Sequence, residues 1–111
     1  MPRLLPPGPP SRSRNPPPSV GDYILNDVLP SLDLTVTAAA QRMYTTRQAL
    51  YRVCRGMSSL TPDLAARLGR LAGLDPRTLL ALQTDYELWW VEEKFGADIR
   101  RIAPQPRRNP V

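Results

Sequence analysis

The sequence predicts an all-α domain of five helices, set between two tails rich in proline and arginine. Three observations carry that reading. Apolar residues recur at helical spacing, and no stretch sustains an alternation of period two. Helix-start signals stand at Thr35, Thr46, Thr61-Pro62 and Asp75-Pro76, each a capping oxygen and two of them followed by proline. Eight of the 14 prolines fall in the first 18 residues and three in the last eight, which leaves residues 19–100 as the part able to bury a core. Residues 1–18 and 101–111 are read as disordered tails, because their composition offers little apolar surface to bury.

The first helix opens near Ser19 or Gly21, with Ile24, Leu25, Val28, Leu29 and Leu32 on one stripe. Pro30 is expected to end or kink it, since the proline ring clashes with the preceding turn. Thr35 caps the second helix, where Ala38, Ala39 and Ala40 give a thin surface for close packing, and which ends around Met43 or Tyr44. Thr45 and Thr46 open the third helix, which runs to Cys54 or Arg55 before Gly56 supplies a left-handed residue. Leu50 and Val53 face inward there, flanked by Ala49 and Cys54. Thr61-Pro62-Asp63 starts the fourth helix, whose core face is Leu64, Ala65, Leu68, Leu71 and Ala72; Gly73 stops it. The fifth runs from Asp75-Pro76 to about Phe95, with Leu79, Leu82, Tyr86 and Trp89 as one seam, and Gly96 is expected to end or break it.

Charge is unevenly placed. The chain carries a net +5, yet residues 21–100 hold nine basic and ten acidic side chains, a balance of −1. The excess lies in the tails (Arg3, Arg12, Arg14, Arg101, Arg107 and Arg108) and in one cluster, Arg42, Arg47, Arg52 and Arg55. That is a polarised surface rather than a basic coat.

Composition narrows the function classes. Histidine is absent, the one cysteine excludes an intrachain disulfide, and no cysteine-rich metal spacing or glycine-rich phosphate loop occurs. Glu92 and Glu93 are adjacent on a helix and point apart, so they do not make a catalytic pair. The expectation is a protein without catalytic residues, metal or cofactor. No apolar run reaches the roughly 18–20 residues of a membrane span, and the start lacks the apolar stretch of a secretory signal, so the chain is read as cytoplasmic.

The third helix carries the strongest functional signal. Arg47, Gln48, Tyr51, Arg52 and Arg55 are left on its outward side, and it contains no acidic residue. A solvated helix face ordinarily mixes charge signs, so an acid-free face with forked donors suits an anionic, patterned partner. Double-stranded DNA fits, because arginine matches the edge of guanine and glutamine that of adenine. Two short helices joined by a tight turn are the scaffold that places such a face in the major groove.

Residues 19–90 resemble the HigA antitoxins, a branch of the XRE-type helix-turn-helix proteins. The resemblance rests on Ser19-Val20-Gly21-Asp22-Tyr23-Ile24-Leu25, on Thr46-Arg47-Gln48-Ala49-Leu50-Tyr51-Arg52-Val53, and on Leu60-Thr61-Pro62-Asp63-Leu64-Ala65-Ala66-Arg67-Leu68. The most specific block is Leu82-Gln83-Thr84-Asp85-Tyr86-Glu87-Leu88-Trp89, after Asp75-Pro76. The chain departs from the family at Val36, Ala39, Tyr44 (the place of a turn glycine) and Arg55.

The resemblance implies a compact, lambda-repressor-like domain acting as a homodimer on a palindromic operator in its own promoter. It also implies a partner, a small basic toxin of the RelE/HigB kind that cleaves mRNA. By position, Thr46, Arg47, Gln48, Tyr51 and Arg52 would face bases or nearby phosphates, and Thr35 would meet phosphate; Arg55 keeps a phosphate donor. Tyr86, Trp89 and Trp90 are candidates for a dimer or toxin interface, because aromatic side chains anchor interfaces. The acidic Glu87, Glu92, Glu93 and Asp98 would complement a basic toxin. Two other readings stand beside this one: a regulator of the same fold with no toxin, and a degenerate helix-turn-helix serving only protein contacts.

Overall fold

A computed structural model describes residues 15–108. The disordered leader expected over residues 1–18 lies outside the described residues except for its last four, as do the last three residues of the tail. Among the described residues there are five helices and no strand. The first, α1, spans residues 20–32 in three pieces: an α-helical turn Val20–Tyr23, a π-helical stretch Ile24–Val28, and an α-helical turn Leu29–Leu32. Then follow α2 (Val36–Arg42), α3 (Arg47–Cys54), α4 (Pro62–Ala72) and α5 (Pro76–Arg100).

Each helix starts on the cap its sequence offers. The side-chain oxygens of Ser19, Thr35, Thr46 and Thr61 each accept the backbone N–H three residues on, at 3.0–3.2 Å, and Asp75 accepts that of Arg77 at 2.9 Å. Gly56 and Gly73 take positive φ, 73° and 71°, where α3 and α4 end.

Pro30 does not break α1. The helix widens into its π-helical stretch just before the proline, with Leu29 N–H donating to Ile24 O, and this relieves the crowding that a proline ring imposes on a regular α-helix. α1 ends two residues after the proline, at Leu32, and the following Asp33 is left-handed (φ 56°).

The core gathers one face of every helix: Val20, Ile24, Val28 and Leu29; Ala39 and Ala40; Leu50, Val53 and Cys54; Leu64, Ala65 and Leu68; and Leu79, with Met43 and Leu60 from the connections. None of the buried described residues is polar or charged. α1 packs against α3 and α5, α2 against α3, and α4 against α5.

Two long-range polar clamps brace the connections. Arg67 Nη1 donates to the carbonyls of Met43 (2.9 Å) and Tyr44 (3.2 Å), closing the end of α2, while its Nε pairs with Asp63 (3.0 Å). Gln83 holds both backbone groups of Leu60: its Oε1 accepts the N–H at 2.7 Å, and its Nε2 donates to the carbonyl at 3.0 Å.

Two expectations about α5 are corrected. The helix does not stop near Phe95 but continues through a buried Gly96 to Arg100. Glu92 and Arg100 form an ion pair spanning the glycine, and a Cβ at that position would crowd both of them. The seam of Leu79, Leu82, Tyr86 and Trp89 also fails as a core seam. Only Leu79 is in the core, whereas Leu82, Tyr86 and Trp89 are half-buried. At about 1.5 Å per residue, α5 extends roughly 37 Å, far longer than the 11-residue α4 it packs against.

Tyr44, in the turn between α2 and α3, has φ 57° and is 90% exposed. A left-handed tyrosine is strained, and its ring gains almost no burial in return. Tyr44→Gly is therefore expected to stabilise the domain by about 1 kcal/mol, a rise of roughly 4–8 °C in thermal midpoint measured by circular dichroism. A midpoint unchanged or lowered would show that the ring contributes what its exposure denies.

Candidate nucleic-acid interface

The site is one face of α3. Leu50, Val53 and Cys54 turn into the core, which fixes the helix about its own axis and leaves Arg47, Gln48, Arg52 and Arg55 exposed and Tyr51 half-buried. Four of these five outward residues lie on α3 and Arg55 caps its end, while Thr46 caps its start with Oγ1 on the Ala49 N–H at 3.0 Å. Thr35 occupies the equivalent place on α2, accepting from Ala38 N–H at 3.1 Å. Both threonines are exposed, and each hydroxyl keeps its own proton to donate outward.

The arginines are arranged rather than loose. Tyr51 lies between two guanidinium groups, Arg47 at 4.8 Å and Arg55 at 5.8 Å from the ring centroid, one helical turn to either side. Each stack is a cation–π contact, which restrains a long side chain without using its hydrogen-bond donors. Arg52 is held by a different device, with its Nε donating to Ser58 Oγ at 3.1 Å. No ion pair among the described residues neutralises Arg47, Arg52 or Arg55.

Sequence reasoning missed Ser58, Arg67 and Gln83. For Ser58 a signal existed, because a left-handed glycine folds the next two residues back over the last helical turn, and Ser58 is second after Gly56. Arg67 and Gln83 act on backbone 23 or 24 residues away, and no local pattern marks that.

Tyr86, Trp89 and Trp90 are carried by α5, and of the three Tyr86 lines a cleft with Arg55 and Gly56 at the end of α3. Trp90 meets Trp89 edge-on at 5.0 Å and Tyr86 at 6.4 Å, and it is 46% exposed. Neither indole enters the core. α5 also exposes a second apolar row, Leu88, Val91, Phe95 and Ile99, continued by Ile102 beyond its end. At roughly 100° per residue, Leu88 and Trp90 lie on nearly opposite sides of the helix.

This arrangement defines a protein of the helix-turn-helix class, with α2 and α3 as the motif. No protein-family model matches the chain. It is 36% identical over 98 residues to virulence-associated protein A′ of Dichelobacter nodosus, a match spanning 87% of this chain and 83% of that protein. Among solved structures it is similar to the antitoxin HigA of Pseudomonas aeruginosa, determined with the higBA promoter, with a TM-score of 0.72 at 23% identity over 81% of this chain and 99% of that one. It is also similar to an addiction module antidote protein of the HigA family from Coxiella burnetii, with a TM-score of 0.74 at 22% identity over 82% of this chain and all of that one. The chain belongs to the family of virulence-associated protein A′, and its fold is that of the HigA-type helix-turn-helix antitoxins. No helix among the described residues is long and apolar enough to cross a membrane.

Cys54, on the inner side of α3, is buried, and that burial pushes its thiol up to about 11. At pH 8 about one thiol in a thousand is then ionised, and the thiolate is the reactive form. Iodoacetamide at pH 8 is expected to alkylate the native protein at least about a hundredfold more slowly than the urea-unfolded chain. Comparable rates would mean that the inner face of α3 opens readily.

Proposed function

We propose that this protein is a cytoplasmic antitoxin and autorepressor that binds a palindromic operator as a homodimer and neutralises a small, basic, RNA-cleaving toxin of the RelE/HigB kind. It works by binding and occlusion, without chemistry of its own. The observation that carries the DNA half is the acid-free face of α3, locked outward by its buried side and lined with restrained arginines. In this reading Arg47, Gln48 and Arg52 read base edges, Tyr51 braces its neighbours, and Arg55, Thr46 and Thr35 hold phosphates. The HigA of Pseudomonas aeruginosa, bound to its promoter, supports the assignment by likeness of fold.

Dimerisation is supported by α5. Leu88, Val91, Phe95, Ile99 and Ile102 follow one another at intervals of three and four, and each is more than a third exposed. Such a row on an otherwise folded domain is a surface for a second helix, and two copies of α5 would cover each other. Trp90 and Glu93 lie on the other side of α5, the side we assign to the toxin, whereas Glu87 and Asp98 flank the apolar row at Val91.

A mobility-shift titration on the protein's own upstream DNA, against a scrambled duplex at two salt concentrations, tests the repressor. Specific binding that weakens with salt is expected. Arg47→Ala should lose about 1–3 kcal/mol and relax specificity at one base, whereas Arg55→Ala should weaken all sequences alike and flatten the salt dependence. Equal, weak binding to both duplexes would remove the repressor assignment, and identical behaviour of the two variants would reject this division of roles.

Sedimentation equilibrium tests the dimer. The wild type is expected at twice the chain mass, and Leu88→Glu with Phe95→Glu at the chain mass with its helical circular dichroism retained. A double variant that stays dimeric would place the interface elsewhere.

A further inference from the structure

The loop after α3 does more than end the helix. Gly56, at φ 73°, turns the chain back so that the N–H groups of Met57 (2.8 Å) and Ser58 (3.2 Å) both donate to the carbonyl of Arg52. The side chain of Ser58 then takes the Nε–H of the same arginine at 3.1 Å. Residue 58 thus grips residue 52 twice, once through its backbone and once through its hydroxyl.

The second grip has a geometric consequence. A guanidinium has three edges of donors, and with Nε occupied the edge formed by the two terminal nitrogens is left free. That edge matches the paired acceptors O6 and N7 of guanine. An unrestrained arginine would lose rotamer freedom on binding, and one already held by Ser58 loses less.

We propose that Ser58 is a positioning residue of the DNA-reading face, holding Arg52 by its Nε so that the terminal nitrogens meet one guanine of each operator half-site end-on. This rests on the DNA-reading function proposed above. It adds a residue outside α3 to the determinants of specificity, and it separates Arg52, steered by a hydrogen bond, from Arg47 and Arg55, which are steered by Tyr51.

The test uses the full chain on its upstream duplex and on a scrambled duplex, with Ser58→Ala, Ser58→Thr, Arg52→Ala and the double variant Ser58→Ala/Arg52→Ala. Ser58→Ala is expected to weaken binding to the upstream duplex by roughly three- to tenfold. Its affinity for the scrambled duplex and its melting temperature should not change, because alanine keeps the backbone cap on Arg52. Ser58→Thr should restore wild-type affinity, and Ser58→Ala should add nothing once Arg52 is alanine. Replacing single guanines by 7-deazaguanine, which lacks the N7 acceptor, should weaken wild-type binding at one guanine per half-site and leave Arg52→Ala indifferent there.

Ser58→Ala binding like wild type, or losing as much without Arg52 as with it, would overturn the positioning role while leaving the DNA reading intact. A wild-type protein that cannot tell the two duplexes apart would overturn both.

Discussion

The close approach of α1 to the last turn of α3 is the constraint on which the arrangement depends. Gly21 is buried there, and a Cβ at that position would lie 2.5 Å from the carbonyl oxygen of Cys54 and 2.7 Å from that of Val53. Those are backbone atoms, which cannot swing aside as a side chain can. With no Cβ in the way, α1 lies directly on the end of α3 and brings Val20 and Ile24 into the same core as Leu50 and Val53. The outward face of α3 is a result of that contact. Because Leu50, Val53 and Cys54 are committed inward, a helix of eight residues has no other side on which to carry Arg47, Gln48 and Arg52, with Arg55 as its capping residue just beyond.

A domain this small buries little, and it uses polar clamps where a larger one would use more core. Arg67 ties the last carbonyls of α2, and Gln83 ties Leu60 to α5. Both brace the connections on either side of α3 rather than α3 itself. The turn between α2 and α3 is held by Arg67 although it contains a left-handed tyrosine, so the strain at Tyr44 sits beside a clamp able to contain it.

What the sequence made legible was local. Thr35, Thr46, Thr61 and Asp75 begin helices where they were expected, and Gly56 and Gly73 close them, because a cap is decided within four residues. The split of α3 into an inward and an outward side was legible for the same reason, as helical periodicity fixes it. The misreadings arose where the outcome depends on something distant or compensating. Pro30 is tolerated because the turn before it widens, and Gly96 because Glu92 and Arg100 bridge it. The Leu79–Trp89 spacing is real, but whether a seam is buried depends on the length of its neighbours, and α4 is too short to cover it. Arg67 and Gln83 went unread because a hydrogen bond across 23 or 24 residues leaves no periodic trace, whereas the glycine two residues before Ser58 was a local signal for it.

The charge distribution gains its meaning from these restraints. Net charge alone is a poor guide here, since the region that folds is slightly acidic and the excess of arginine lies largely in the tails. Loosely held positive charge attracts a polyanion without discriminating among sequences. Discrimination requires donors fixed in direction before the partner arrives, because an arginine that must be ordered on binding gives up part of what its hydrogen bonds return. Of the four arginines in the cluster at residues 42–55, three lie on the outward side of α3, and each of those is restrained: two by the ring of Tyr51 and one by Ser58. Arg42, on α2, has no such restraint among the described contacts. Geometry thus marks out the face on α3 more sharply than charge does, and it is a geometry set by the core beneath it and by the turn that follows.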